Sequence, residues 1–231
     1  MLPSKAGVAL VTVAVLLLHA SMARAQQSLS LQIGQFSPWA EDARTAGDVL
    51  VTDRQYLRFN LSDFKGITGG GEWLASAGDN LEVGLGMAYY QRGVHSVYDG
   101  WVNTDGSEIR QELKLRVVPV FATLKYLPFG ARATFQPYVG AGFAVYFWRY
   151  TETGQFVDFT DNSIYRAAYV GSGTSVGPVA TFGVRARVSR QSDLGVEVRA
   201  QWGKGNLSHD FLDNRIDLGG VNVLGTLRLR F

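Results

Sequence analysis

The sequence predicts an all-β protein, an antiparallel up-and-down transmembrane β-barrel of eight strands. Three observations carry that prediction. Polar and apolar side chains alternate with a period of two over most of the chain beyond residue 25. The connections between the alternating segments are short and long in turn, as a barrel with two unlike rims requires. Beyond residue 25 no apolar run approaches 18 residues, so a crossing of the membrane falls to strands.

The chain opens with an export signal by pattern. Lys5 gives a positive start, Ala6 to Ala20 an apolar run of about 15 residues, and Ala23-Arg24-Ala25 a small-residue site, predicting cleavage after Ala25. The run is shorter than the ~20 residues of a spanning helix. The predicted mature chain, residues 26–231, carries 20 basic and 20 acidic residues and no cysteine. It has neither the charge footprint of a nucleic-acid binder nor disulfide staples.

The strands follow in order. Leu29, Leu31 and Ile33 alternate with Ser28, Ser30 and Gln32. A glycine-rich strand runs from about Phe64 to Ser76. Leu81–Arg92 sets Leu81, Val83, Leu85, Met87 and Tyr89 against Glu82, Gly84, Gly86 and Arg92. Ile109–Leu127 sets Leu113, Leu115, Val117, Pro119 and Phe121 against Glu112, Lys114, Arg116, Val118 and Val120. Pro137–Tyr150, Ala180–Val188, Leu194–Trp202 and Val221–Phe231 repeat the pattern. Gly78–Asn80 and Arg190–Asp193 read as tight turns, and Leu127–Phe135 as a moderate link. Ser37–Asp63, Val97–Ser107, Thr151–Ser175 and Asn206–Asp217 read as long loops on the opposite rim. If Asp48–Leu61 formed a further hairpin, the strand count would be ten. An even number places both ends of the mature chain on the short-turn rim.

Alternation alone does not say which face is outside, since soluble barrels turn the apolar face inward. Glycine and paired charge on the polar face suit a narrow lumen filled by side chains. The expected lumen set is Glu72, Glu82, Arg92, Glu112, Lys114, Arg116, Arg185, Arg187, Glu197, Arg199, Arg228 and Arg230. Aromatics near strand ends suggest interfacial girdles. Tyr138 and Trp148 bracket one strand, Tyr126, Phe129 and Phe135 fit the short-turn rim, and Tyr89, Tyr90, Tyr146 and Tyr150 the long-loop rim.

The terminal pattern Val223-x-Gly225-x-Leu227-x-Leu229-x-Phe231 resembles the C-terminal signature of bacterial outer-membrane barrels. The mature chain as a whole resembles the small barrels of the OmpA/OmpX/OmpW type. The resemblance implies residence in the outer membrane among its lipids and lipopolysaccharide. It also implies recognition of the last strand, through Val223, Leu227, Leu229 and Phe231, by the barrel-assembly machinery. A monomer without cofactor or nucleic-acid partner is expected.

Chemistry is sparse. His95-Ser96 and Ser208-His209-Asp210 supply the residue types of a rim acyl-transfer enzyme, but sequence neighbours are not a triad. Glu152, Asp158 and Asp161 lack the spacing of a calcium loop, and Gly69–Gly71 lacks the Lys-Ser/Thr of a phosphate loop. The expected role is a non-enzymatic anchor with a plugged lumen and long outer loops. A narrow pore or carrier for small solutes, anions among them, and a lipid-A-modifying rim enzyme are the alternatives.

Overall fold

The computed structural model describes residues 27–231, so the expected export signal and its cleavage lie outside the described residues. Eight strands form the barrel: β1 (Gln27–Pro38), β3 (Gly66–Ser76), β4 (Leu81–Val102), β5 (Glu108–Tyr126), β6 (Phe135–Val157), β7 (Ile164–Arg187), β8 (Ser192–Gln201) and β11 (Gly220–Arg230). Each pairs antiparallel with its neighbours in this order, and β1 closes the ring on β11, from Ser28 opposite Arg230 to Pro38 opposite Gly220. No open edge remains at this level, as hydrocarbon demands of any sheet that crosses it. The stretch 48–61 adds no wall strands. It forms a short helix, α1 (Val49–Asp53), and the two-residue β2 (Leu57–Arg58), which leans on the far end of β4. A small hairpin, β9 (Lys204–Asn206) with β10 (Arg215–Asp217), fills the last long loop.

The strands are unequal, and this departs from the sequence expectation. β4 to β7 run 19 to 24 residues, while β1, β3, β8 and β11 run 10 to 12. Most of the expected loops Val97–Ser107 and Thr151–Ser175 are therefore strand, and the true hairpin turns shrink to Asn103–Ser107 and Asp158–Ser163. These segments are rich in Gly, Ser and Thr and lack apolar alternation because their outer face meets water.

The lower part of the wall carries an outward apolar belt. Leu81–Tyr89 on β4, Val118–Tyr126 on β5 and Phe135–Phe147 on β6 present its residues. At about 3.3 Å per residue and a tilt near 40°, these stretches rise roughly 20–30 Å, the height of a hydrocarbon core. Tyr126, Phe129, Phe135 and Phe231 stand exposed at its lower margin, and Tyr89 and Phe147 at its upper one. Tyr138 and Trp148, expected in the girdles, are buried in the lumen, as are Tyr90, Tyr146 and Tyr150. Their positions along the strands were consistent with girdles, but their parity is inward.

Above the belt the polarity of the wall inverts. On β5 the outward residues become Arg116, Lys114, Glu112, Arg110 and Glu108, and the inward ones Val117, Leu115, Leu113 and Ile109. The extended wall has the polarity of a soluble sheet, and its apolar lining packs on the loops. Val49 and Leu50 of α1 are fully buried there with Phe59, Phe64, Leu207, Phe211 and Ile216. Burying side chains of this size stabilises by about 1.5–3 kcal/mol each, so a Leu50→Asp change would unseat the helix.

Replacing outward Ala141, at mid-belt on β6, by Arg should cost ~2–4 kcal/mol. Arg at outward Thr153, on the same strand above the belt, should cost close to nothing. Urea titrations of the barrel in phospholipid vesicles compare the two.

Candidate functional site

Two layers fill the barrel. At belt height the lumen is a network of charges. Lys125 Nζ, 2% exposed, lies 2.6 Å from Glu72 Oε2 and 3.0 Å from Glu197 Oε2, tying β3 and β5 to β8 across the lumen. Glu72 also accepts from the Thr123 hydroxyl at 2.7 Å and the Gln32 amide at 3.2 Å. Glu197 accepts from Tyr138 Oη at 2.9 Å and from Arg199 at 2.5 Å, and the Arg199 guanidinium covers the Phe121 ring at 4.0 Å. Glycine makes the space: a Cβ on Gly84 would collide with the Glu72 carboxylate and the Thr123 hydroxyl. Toward the short turns, Glu82 pairs with Arg185 at 2.5 Å and Arg228 at 2.8 Å, and Asp193 with Arg230 at 2.6 Å. In so dry a space an unpaired charge costs several kcal/mol, which explains why the charges are tied to one another.

Over this layer sits the apolar plug of loops 39–65 and 202–219. Its loops are clamped together. Arg44 pairs with Asp48 in full burial, Arg44 also donates to the Asp217 carbonyl at 3.0 Å, and the Asp217 amide donates to Asp48 at 2.9 Å. Tyr90 donates to the Phe64 carbonyl and so pins the loop to β4. Beneath α1, Asp53 accepts from Tyr150 Oη at 3.1 Å beside the buried Glu152 of β6, which stands above the belt. Burial, reinforced by the Glu152 charge, holds Asp53 well above the usual carboxylate range. Burial likewise raises Glu152 to about 7.

The twelve charges expected in the lumen divide. Glu72, Glu82, Arg185, Glu197, Arg199, Arg228 and Arg230 are buried there and Arg187 is half-buried. Glu112, Lys114 and Arg116 are a correction: they stand exposed on the outer wall, because the apolar parity of upper β5 packs on loops and not on lipid. Arg92 has inward parity but is exposed where β3 stops, donating to the Asp63 carbonyl at 3.0 Å. Lys125 and Asp193 were missed. The run Val118, Val120, Ala122, Leu124, Tyr126 was the signal for Lys125, and the shared parity with Glu197 the signal for Asp193. Val223, Leu227, Leu229 and Phe231 lie exposed on the belt face.

The chemistry-bearing residues stay apart. His95 points outward while Ser96 is buried inward, donating to the Gln111 carbonyl at 3.5 Å. Ser208 donates to Asp210 at 2.8 Å, and no hydrogen bond ties His209 to either among the described residues. Asp158 and Asp161 cap the turn between β6 and β7 through the amides of Thr160 and Ser163, away from buried Glu152. No cluster of three metal-ligating side chains occurs among the described residues.

A closed eight-stranded meander with an apolar belt and a charged lumen defines a small membrane β-barrel. No family matches the chain, and no curated protein does. Solved structures do. OprG, an outer-membrane protein of Pseudomonas aeruginosa, aligns over 90% of this chain and 96% of its own, at 12% identity and a TM-score of 0.54. Neisserial surface protein A aligns over 89% and 97%, at 13% identity and a TM-score of 0.48. The chain has the fold of the small outer-membrane barrels; at these identities the likeness is one of fold alone.

Two outcomes follow. Lys125→Met leaves Glu72 and Glu197 with Arg199 as their one remaining shared cation and should destabilise the barrel by ~3–5 kcal/mol in urea titration. Loop docking should also depend on pH. A carboxyl raised in the docked state stabilises fully below its ordinary value near 4.5, and that contribution fades as pH climbs to about 7. A spin label at Arg54→Cys should be immobile at pH 5 and freer at pH 8, and Glu152→Gln should narrow the difference, with buried Asp53 supplying what remains.

Proposed function

We propose that the chain is an integral protein of a bacterial outer membrane, closed to solutes, which anchors a tall wall and two docked loops on the outer side. Its short turns and both ends of the barrel face the periplasm. One observation carries the reading: a lumen crossed by the Lys125-centred network and sealed above it by an apolar plug. The void between these layers, lined by Phe36, Thr68, Tyr90, Val117, Pro119, Gln201 and Asn222, is about 10 Å³, room for about one water. Eight strands leave an interior that side chains fill.

The belt supplies the anchor, and the outward Arg110, Lys114, Arg116 and Arg149 above it suit contact with lipopolysaccharide phosphates. The last strand, ending in Val223, Leu227, Leu229 and Phe231, is the element we assign to recognition by the barrel-assembly machinery. The barrel is complete in a single chain, which supports a monomer. The role that fits is structural or interactive, carried by surfaces and not by a catalytic group. In planar bilayers the purified barrel should give no steady single-channel steps at neutral pH; regular conductance steps would overturn the closed reading.

A further inference from the structure

The two charge clusters of the lumen differ in balance. In the central one, Glu72 and Glu197 face Lys125 and Arg199, two charges of each sign. At the short-turn end, Glu82 and Asp193 face Arg185, Arg187, Arg228 and Arg230, two acids against four guanidinium groups. Asp193 alone serves three of them, at 2.6 Å to Arg230, 3.8 Å to Arg228 and 4.0 Å to Arg187. The Nε groups of Arg187 and Arg230 are buried without an acceptor. An excess of positive charge in so confined a place is costly unless an anion answers it.

The cluster opens on a concave pocket of about 530 Å³ lined by Arg132, Thr134, Arg187, Ser189, Arg190 and Arg230. No acidic side chain lines it. Arg132 is only loosely held, 3.8 Å from Asp79 with both side chains largely exposed, and Arg190 forms no ion pair among the described residues. The buried guanidinium of Arg230 forms the inner wall, its side chain 5% exposed. Arginine forks with flanking hydroxyls match the oxygens of a phosphate group, which accepts paired N–H donors. The pocket also borders the belt. Val188 lines it and is exposed, Phe135 follows Thr134, and Phe231 follows Arg230. A lipid whose chains lie along β6 and β7 would bring its headgroup phosphate to this rim.

We propose that the short-turn end of the barrel is a binding site for a phosphate group, walled by Arg187 and Arg230 and gated by Arg132 and Arg190. The phosphate belongs to a lipid headgroup of the adjoining leaflet or to a free phosphate ion. Both present the same oxygens to the arginines, and the experiment separates them.

The refolded barrel in zwitterionic detergent is titrated calorimetrically with inorganic phosphate at fixed ionic strength. In parallel, native mass spectrometry measures retention of dioleoyl phosphatidic acid against dioleoylglycerol, which has the same chains and no phosphate. R132Q/R190Q alters only exposed side chains, and heat-modifiable gel mobility confirms that it folds; R166Q, at the other end of β7, is the control. The expected result is phosphate binding, preferential retention of phosphatidic acid, or both. Each should weaken at least ten-fold in R132Q/R190Q and stay unchanged in R166Q. Retention of the lipid alone identifies the leaflet as the source, and binding of the ion alone identifies free phosphate. The proposal is overturned if neither ligand binds, if chloride at equal ionic strength displaces them equally well, or if R132Q/R190Q binds as tightly as the parent.

Discussion

Everything in this barrel depends on one demand of the surrounding solvent: in hydrocarbon a backbone amide or carbonyl without a partner is too costly to keep. The β1–β11 ladder meets that demand by removing the last open edge. Closing at eight strands then dictates the interior, because a ring of that size is just wide enough for its own side chains. Inward positions must hold small residues beside long ones, as Gly84 does beside Glu72. Charges placed there must be tied to one another, as Lys125 is to Glu72 and Glu197.

The same chain solves the opposite problem a few residues higher. Once β4 to β7 leave the belt, the outer face is wet and the inner face must be dry, so apolar and polar sides exchange places within single strands. On β5 the exchange falls between Arg116 and Val118, with Val117 and Phe121 behind them. Loops 39–65 and 202–219 stand in for the wall that the shorter strands lack, and their apolar side chains complete a core of ordinary globular kind. The protein is thus a membrane barrel below and, above it, a four-stranded wall of soluble-type polarity packed on loops, the two sharing continuous strands.

That double character explains what could be read from the sequence and what could not. Period-two alternation places seven of the wall strands, since it survives the exchange of faces unchanged, and the glycine-rich Phe64–Ser76 stretch is the weaker eighth. Which face is lipid-exposed does not survive it. In β5, Leu113, Leu115 and Val117 share parity with Lys125, so the upper half outvoted the lower, sending Glu112, Lys114 and Arg116 to the wrong side and hiding Lys125. Strand ends beyond the belt lost their apolar signal and resembled loops, as in Thr151–Ser175. The buried bonds of Arg44 and Asp48 to Asp217, and of Asp53 to Tyr150, join segments with no local pattern linking them. Such contacts exist only once the loop has folded back over the lumen.

The closure of β1 on β11 also has a consequence in time. Arg228 Nε meets Ser28 Oγ at 2.6 Å across a separation of 200 residues, so the ring is sealed by nearly the most distant contacts the chain can make. Contacts of that kind form late and slowly, because the intervening chain must first give up its freedom. Every other wall ladder joins strands adjacent in the meander, at far shorter separations along the chain. The barrel therefore has a natural last step, and until it is taken two bare edges stay open to any strand that reaches them first. Assembly of such a molecule is governed less by how stable the finished ring is than by how long its first strand must wait for its last.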